Sequence, residues 1–171
     1  MLRKYLRLSI GILVIATAVW QFTAGELGNG LFLLFISLFP ILFHFRNERI
    51  LIGLWYMRKQ NMVKLGIQLD AIKYPEQTLI KGQLAYYYFL RGLMLSQTEL
   101  KQSERFMRKA LSTGLRMKQD QALAKMQLAA MAMTKRRKRE AQNLLTEAKK
   151  LDSKGVLADQ LKMLKQQMKR F

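Results

Sequence analysis

The hydrophobic pattern opens with an apolar block that is broken once. Residues 8–24 form seventeen positions without a charge, and residues 31–45 are apolar in every helical direction. The polar break Gly25-Glu26-Leu27-Gly28-Asn29-Gly30 lies between them. At 1.5 Å per residue the first run makes roughly 25 Å of helix, the lower edge of what crosses a hydrocarbon core of about 30 Å. Apolarity on all faces suits lipid or a large core, and a chain of this size has no such core. The pattern therefore predicts a transmembrane helical hairpin over residues 8–45, preceded by a basic leader over residues 1–7. Pro40 predicts a kink near residues 37–40, Trp20 and Phe22 suit an interfacial aromatic belt, and His44 falls at the membrane edge. A second reading stays open for the first run. Arg3, Lys4 and Arg7, the apolar stretch and Ala16-Thr17-Ala18 also have the form of a cleavable signal peptide.

Past residue 45 the pattern turns to helical periodicity. It predicts helices over residues 47–60, 61–72 and 76–95, then one opening with Ser96 and running to about Leu115. Two more cover residues 120–134 and 137–151, and a last helix is capped by Asp152 or Ser153 and runs to Arg170. Ser96 and Glu99 have the spacing of a capping box, and Gly114 stands where a helix C-terminus wants a left-handed residue. No strand-like alternation interrupts the series. The expected fold class is all-α: a membrane hairpin, then helical pairs over residues 46–171, closed by a terminal helix. In that last helix Leu157, Leu161, Leu164 and Met168 form one narrow stripe, as a cap apolar on one side requires.

Self-similarity appears inside the helical part. Leu128-Ala129 is followed by Ala141, Leu145 and Ala148, and a fainter copy has Gly92 followed by Ser103, Met107 and Ala110. Gly53 and Pro75 mark a third, eroded unit. Small residues at such steps let two helices cross closely while the large one fills the gap beside them. These spacings resemble the tetratricopeptide repeat (TPR), although the small positions 53, 92 and 129 are more widely spaced than that family's period of about 34 residues. The resemblance implies an α-solenoid of TPR-like pairs whose first helices line a groove for peptides or partner helices. On this mapping Tyr86, Phe89, Leu93, Met126, Ala130 and Met133 face the groove. The competing reading makes them core, packed on neighbouring helices or on the last helix.

Charge changes the picture next. The chain carries 30 Lys+Arg against 11 Asp+Glu, and all but three of the cations and one of the acids follow residue 45. Such a basic domain attracts polyanions or an anionic leaflet. The cations Arg3, Lys4 and Arg7 precede the first apolar run, Arg46, Arg49, Arg58 and Lys59 follow the second, and the connecting loop has only Glu26. The positive-inside rule then places both termini in the cytoplasm, as in a multi-pass protein of a bacterial inner membrane. Lys135, Arg136, Arg137, Lys138 and Arg139 form the densest run, at the turn of the last helical pair. They are candidate contacts for anionic lipid, or less favourably for nucleic acid, since no helix-turn-helix or finger pattern accompanies them. A solvated turn is the alternative.

The chemistry of catalysis finds no foothold. There is no cysteine and one histidine, which leaves neither a disulfide framework nor a His/Cys metal set. No phosphate loop, nucleophile elbow or paired carboxylates can be read. Tyr86-Tyr87-Tyr88 points in three directions at 100° steps, so it is not one aromatic site. The expectation is a non-enzymatic, cofactor-free scaffold or adaptor that binds a protein partner at the cytoplasmic membrane face, with self-association open. The alternatives are a membrane-tethered polyanion-binding module, or an accessory subunit whose hairpin is the interface, using Gly11, residues 16–18 and Ser37 for close packing.

Overall fold

A computed structural model describes the backbone of residues 2–45 and 47–169, and the side chains of residues 9–38 and 47–168. The side chains of Arg3, Lys4, Arg7, His44, Arg46 and Arg170 lie outside the described residues, and with them the expected interfacial role of His44. Among the described residues the fold is all-helical: α1 Leu2–Thr23, α2 Leu27–Phe45, α3 Glu48–Arg58, α4 Met62–Asp70, α5 Pro75–Thr78, α6 Lys81–Leu95, α7 Leu100–Thr113, α8 Lys118–Thr134, α9 Lys138–Leu151 and α10 Ala158–Lys169. The chain divides into two compact units, Met1–Glu48 and Arg49–Phe171.

The first unit is a helical hairpin. Gly25 takes φ +83°, a value that glycine adopts without a Cβ penalty, and the Glu26 N–H returns to the Gln21 carbonyl at 3.1 Å. A Cβ on Gly30 would lie 2.9 Å from the Phe22 ring, so glycine is what lets the two helices meet there. The helix α2 continues from Leu27 to Phe45 across position 40. Among the described residues no helix is long and apolar enough to cross a membrane, so the two expected spans are not established by the fold.

The second unit packs helices in pairs. Gly53 in α3 lies close to both α6 and α4, where an added Cβ would sit 3.2 Å from Leu90 and 3.3 Å from Leu65. The α6–α7 crossing buries Gly92 against the Met107 side chain, with Ser103 and Ala110 fully buried beside it. The α8–α9 crossing buries Ala129, Ala141, Leu145 and Ala148. Both small–large–small sets read from the sequence are therefore core. In α10, Leu161 and Met168 are buried in one cluster with Met126, Met133 and Ala141, and Leu164 and the preceding Leu157 pack against it.

Two local expectations change, and a third is narrowed to one of its two candidates. Ser96 and Glu99 form no capping box: Ser96 Oγ donates to the Leu93 carbonyl at 2.7 Å, and α7 starts only at Leu100 with no side-chain cap. The helix expected from residue 76 is split, because Leu79 is extended (φ −101°, ψ 137°) between α5 and α6. Asp152 caps the turn into α10, accepting from the Val156 and Leu157 N–H groups at 3.1 and 2.8 Å.

Candidate functional site

The six groove positions separate by burial. Phe89 is fully buried, and Met126 and Met133 are buried where α10 packs on α8. Those three are closed to a partner in this arrangement. Tyr86, Leu93 and Ala130 are half-buried. Tyr86 ties consecutive pairs together, its hydroxyl donating to the Asp120 carboxylate in the first turn of α8 at 2.8 Å. Burial, with Asp120 beside it, pushes the Tyr86 phenol up to about 12.

The basic turn is built from the end of α8 and the start of α9. Arg136 sits at φ +57°, and the N–H groups of Arg136 and Arg137 close back on the carbonyls of Met133 and Ala132 at 2.9 and 2.8 Å. That is the paired 5→2 and 6→1 closure of a Schellman turn with arginine in the place usually taken by glycine. Two of the five cations are neutralised locally. Lys135 bonds Glu104, and Arg137 lies 3.5 Å from Glu104 and 3.4 Å from Glu140. Arg108 joins the same two carboxylates, at 2.9 Å from Glu104 and in close contact with Glu140. Hydrogen bonds from Lys135 and then Arg108 hold the Glu104 carboxyl below its usual range, and Arg108 does the same for Glu140. Arg136, Lys138 and Arg139 are exposed and have no ion-pair partner among the described residues.

A cleft that the sequence did not announce lies where Tyr74 and α5 lie against α6 and α7. It holds about 500 Å³ and is lined by Tyr74, Pro75, Tyr87, Tyr88, Phe106 and the cations Arg105 and Lys109, among others. Its floor is a stack of Tyr88 on Phe106, with centroids 6.1 Å apart and planes at 28°. Tyr88 donates to Glu76 Oε1 at 2.6 Å, and Lys109 Nζ lies 5.0 Å over the Tyr88 ring and 3.4 Å from Glu76. Burial, and then the Glu76 carboxylate, push the Tyr88 phenol up to about 12, while the bond from Tyr88 followed by that from Lys109 lowers the Glu76 carboxyl. Tyr74 is largely exposed and holds φ +50°, a left-handed conformation uncommon for a bulky residue. Arg105 is exposed at the mouth without an ion-pair partner among the described residues. With Glu76 also in the lining and paired to Lys109, Arg105 is the cation left to meet an acidic group beside an apolar or aromatic side chain held by the aromatic faces.

The hairpin has its own inverted chemistry. Among its described side chains the buried positions are Gly11, Ala18, Gly30 and Ser37, all small. The large apolar residues turn outward, with Leu13, Trp20, Leu31 and Phe35 all exposed. Leu31, Phe32, Leu34, Phe35 and Leu38 also line a shallow apolar concavity on α2. No protein-family model, no curated protein and no solved structure matches the chain.

Proposed function

We propose that this chain is a membrane-anchored, non-catalytic scaffold, in which the hairpin is held in the bilayer and TPR-like helical pairs recruit a protein partner on the cytoplasmic face of the inner membrane. The observation that carries the anchor is the inside-out hairpin. Water-exposed helices bury their large apolar side chains and expose small or polar ones. Here the seam is Gly11, Ala18, Gly30 and Ser37, and the outer surface is Leu, Ile, Phe and Trp. Small residues at the seam with large apolar ones outside is the arrangement lipid favours. A hairpin returns the chain to the side from which it entered, and the cation asymmetry makes that side the cytoplasm.

The repeat reading draws support from the turns as well as the crossings. Gln60, seven residues after Gly53, repeats the geometry of Arg136, seven after Ala129: each is left-handed, at φ +55° and +57°. The Asn61 N–H closes on the Tyr56 carbonyl at 3.0 Å as that of Arg137 closes on Ala132. This gives the eroded first unit the same turn as the clearest one. With Phe89, Met126 and Met133 in the core, the partner site is better placed in the Tyr74–Tyr88–Phe106 cleft, rimmed by Arg105 and Lys109. The test is a photocrosslinking residue in place of Tyr74 in native membranes. A protein adduct that disappears with Arg105→Glu supports the reading. No protein adduct at Tyr74, with RNA or lipid trapped at Arg139, overturns it.

The second reading is a polyanion-binding module, favoured by the exposed Arg136, Lys138 and Arg139, which have no ion-pair partner among the described residues. Tight RNA binding with a steep salt slope would select it. The accessory-subunit reading rests on the apolar concavity of α2, and replacing the hairpin by an unrelated anchor without loss of function would exclude it.

A further inference from the structure

The two helices that follow the hairpin are apolar on two faces, and the core uses one. In α3, Ile50 and Gly53 are buried and Leu54 and Met57 pack beside them. At 100° per residue, Leu51, Ile52 and Trp55 point the other way, and they are 41, 39 and 51% exposed. In α4, Leu65 and Leu69 are buried, while Val63 and Ile67, one turn apart on the opposite side, are 77 and 59% exposed. Ile50, Leu65 and Leu69 belong to one core cluster, so both outer faces turn away from it. Cations are set among these side chains. Lys59 Nζ lies 4.1 Å over the Trp55 ring and Lys64 Nζ 5.8 Å over that of Tyr56. Arg58, Lys59 and Lys64 have no carboxylate partner among the described residues, and Asp70, the nearby acid, is taken by Arg91.

We propose that these two outer faces together make a second membrane contact: Leu51, Ile52, Trp55, Val63 and Ile67 enter the interfacial region of an anionic leaflet, and Arg58, Lys59 and Lys64 meet its phosphates. The proposal rests on the hairpin reading and adds a surface to it. Three observations select lipid over a protein. The contact mixes isolated apolar side chains with long cations whose stems lie along them, the arrangement that lets a charged head reach a phosphate while the stem stays in apolar surroundings. Its tryptophan, amphipathic and capped by an ammonium group, belongs to the residue type enriched at headgroup depth. Finally α3 begins three residues after α2 ends, so only a short tether joins it to the helix that the hairpin reading holds in the bilayer.

The chain has two tryptophans, one in each unit, which gives a clean experiment. The full-length protein is reconstituted in vesicles containing phosphatidylglycerol and lipids brominated at shallow acyl positions. A Trp20→Phe variant reports Trp55 alone, and a Trp55→Phe variant reports Trp20 alone. The expected result is blue-shifted Trp55 emission, quenched by the brominated lipid and sheltered from acrylamide. The double change Val63→Asp and Ile67→Asp, at exposed positions, should return Trp55 to water-like emission while leaving Trp20 unchanged. Water-like Trp55 with lipid-quenched Trp20 overturns the inference and leaves the anchor standing. Water-like emission from both overturns the anchor as well. A Trp55 sheltered from acrylamide but untouched by brominated lipid overturns it in favour of a second copy or a protein cover.

Discussion

Ser103 Oγ, fully buried in α7, donates to the Gly92 carbonyl in the last turn of α6 at 2.6 Å. That carbonyl is among the final four of its helix, which have no partner within the helix itself, so one side chain satisfies an end and fastens a crossing. Ser103→Ala should cost about 1–2 kcal/mol through the orphaned carbonyl. Gly92→Ala places a Cβ 3.0 Å from Met107, and overpacking of this kind costs about 1–3 kcal/mol. Because both changes act on one crossing, the double variant should depart from additivity. Urea unfolding of the full chain in mild detergent, followed by circular dichroism, measures all three.

Glu104 is the acid on which the basic turn depends. Its folded carboxyl is held below the ordinary range by Lys135 and Arg108, so its contribution is fully present above the ordinary carboxylate pKa and is lost as pH falls through the lowered value. Glu104→Gln should therefore destabilise the chain at neutral pH, by roughly 1–3 kcal/mol for bonds to a charged group. The gap from wild type should close on acidification. Thermal melts between neutral and strongly acidic pH show whether the two curves converge.

The cations of the turn have separable roles. Among the described residues Arg136, Lys138 and Arg139 have no ion-pair partner, whereas Lys135 and Arg137 serve Glu104 and Glu140. Neutralising the first three should weaken binding to anionic vesicles by about 1 kcal/mol per charge with little change in stability. Neutralising Lys135 and Arg137 should instead lower the melting temperature. Arg136→Gly should do opposite things in the two assays: relief of roughly 1–2 kcal/mol of left-handed strain at φ +57° outweighs the greater unfolded-state freedom of glycine and raises stability, while one cation available to the vesicle surface is lost. Vesicle sedimentation and thermal melts on the same variants separate the effects.

Periodicity carried much of the fold because helix crossings leave local traces. Ala129, Ala141 and Ala148 are small where α9 meets α8, and that constraint is written at fixed steps along the chain. What depends on distant segments was not legible. Lys135 reads as a free charge until Glu104, thirty-one residues earlier, is brought against it. For Met126 and Met133 the pattern left groove and core both open, and only the packing of Leu161 and Met168 beside them decides for core. The cleft escaped notice because Tyr74, Tyr88 and Phe106 come from three segments with no common spacing. Its entrance also depends on the left-handed Tyr74 and the extended Leu79, where the pattern suggested one continuous helix from residue 76. The capping box failed at Ser96 because that hydroxyl turns back to Leu93 in its own helix.

The absence of cysteine makes topology the most direct test of the anchor. Single cysteines are introduced at Asn29, in the exposed start of α2, and at Ser153, in the exposed turn before α10, and intact cells are treated with a membrane-impermeant maleimide. The anchored hairpin with cytoplasmic termini predicts that Asn29→Cys is labelled in intact cells in which the outer barrier has been opened. It also predicts that Ser153→Cys is labelled only after the inner membrane is permeabilised. Equal protection of both sites until permeabilisation, with the protein released by carbonate washing, would contradict the account.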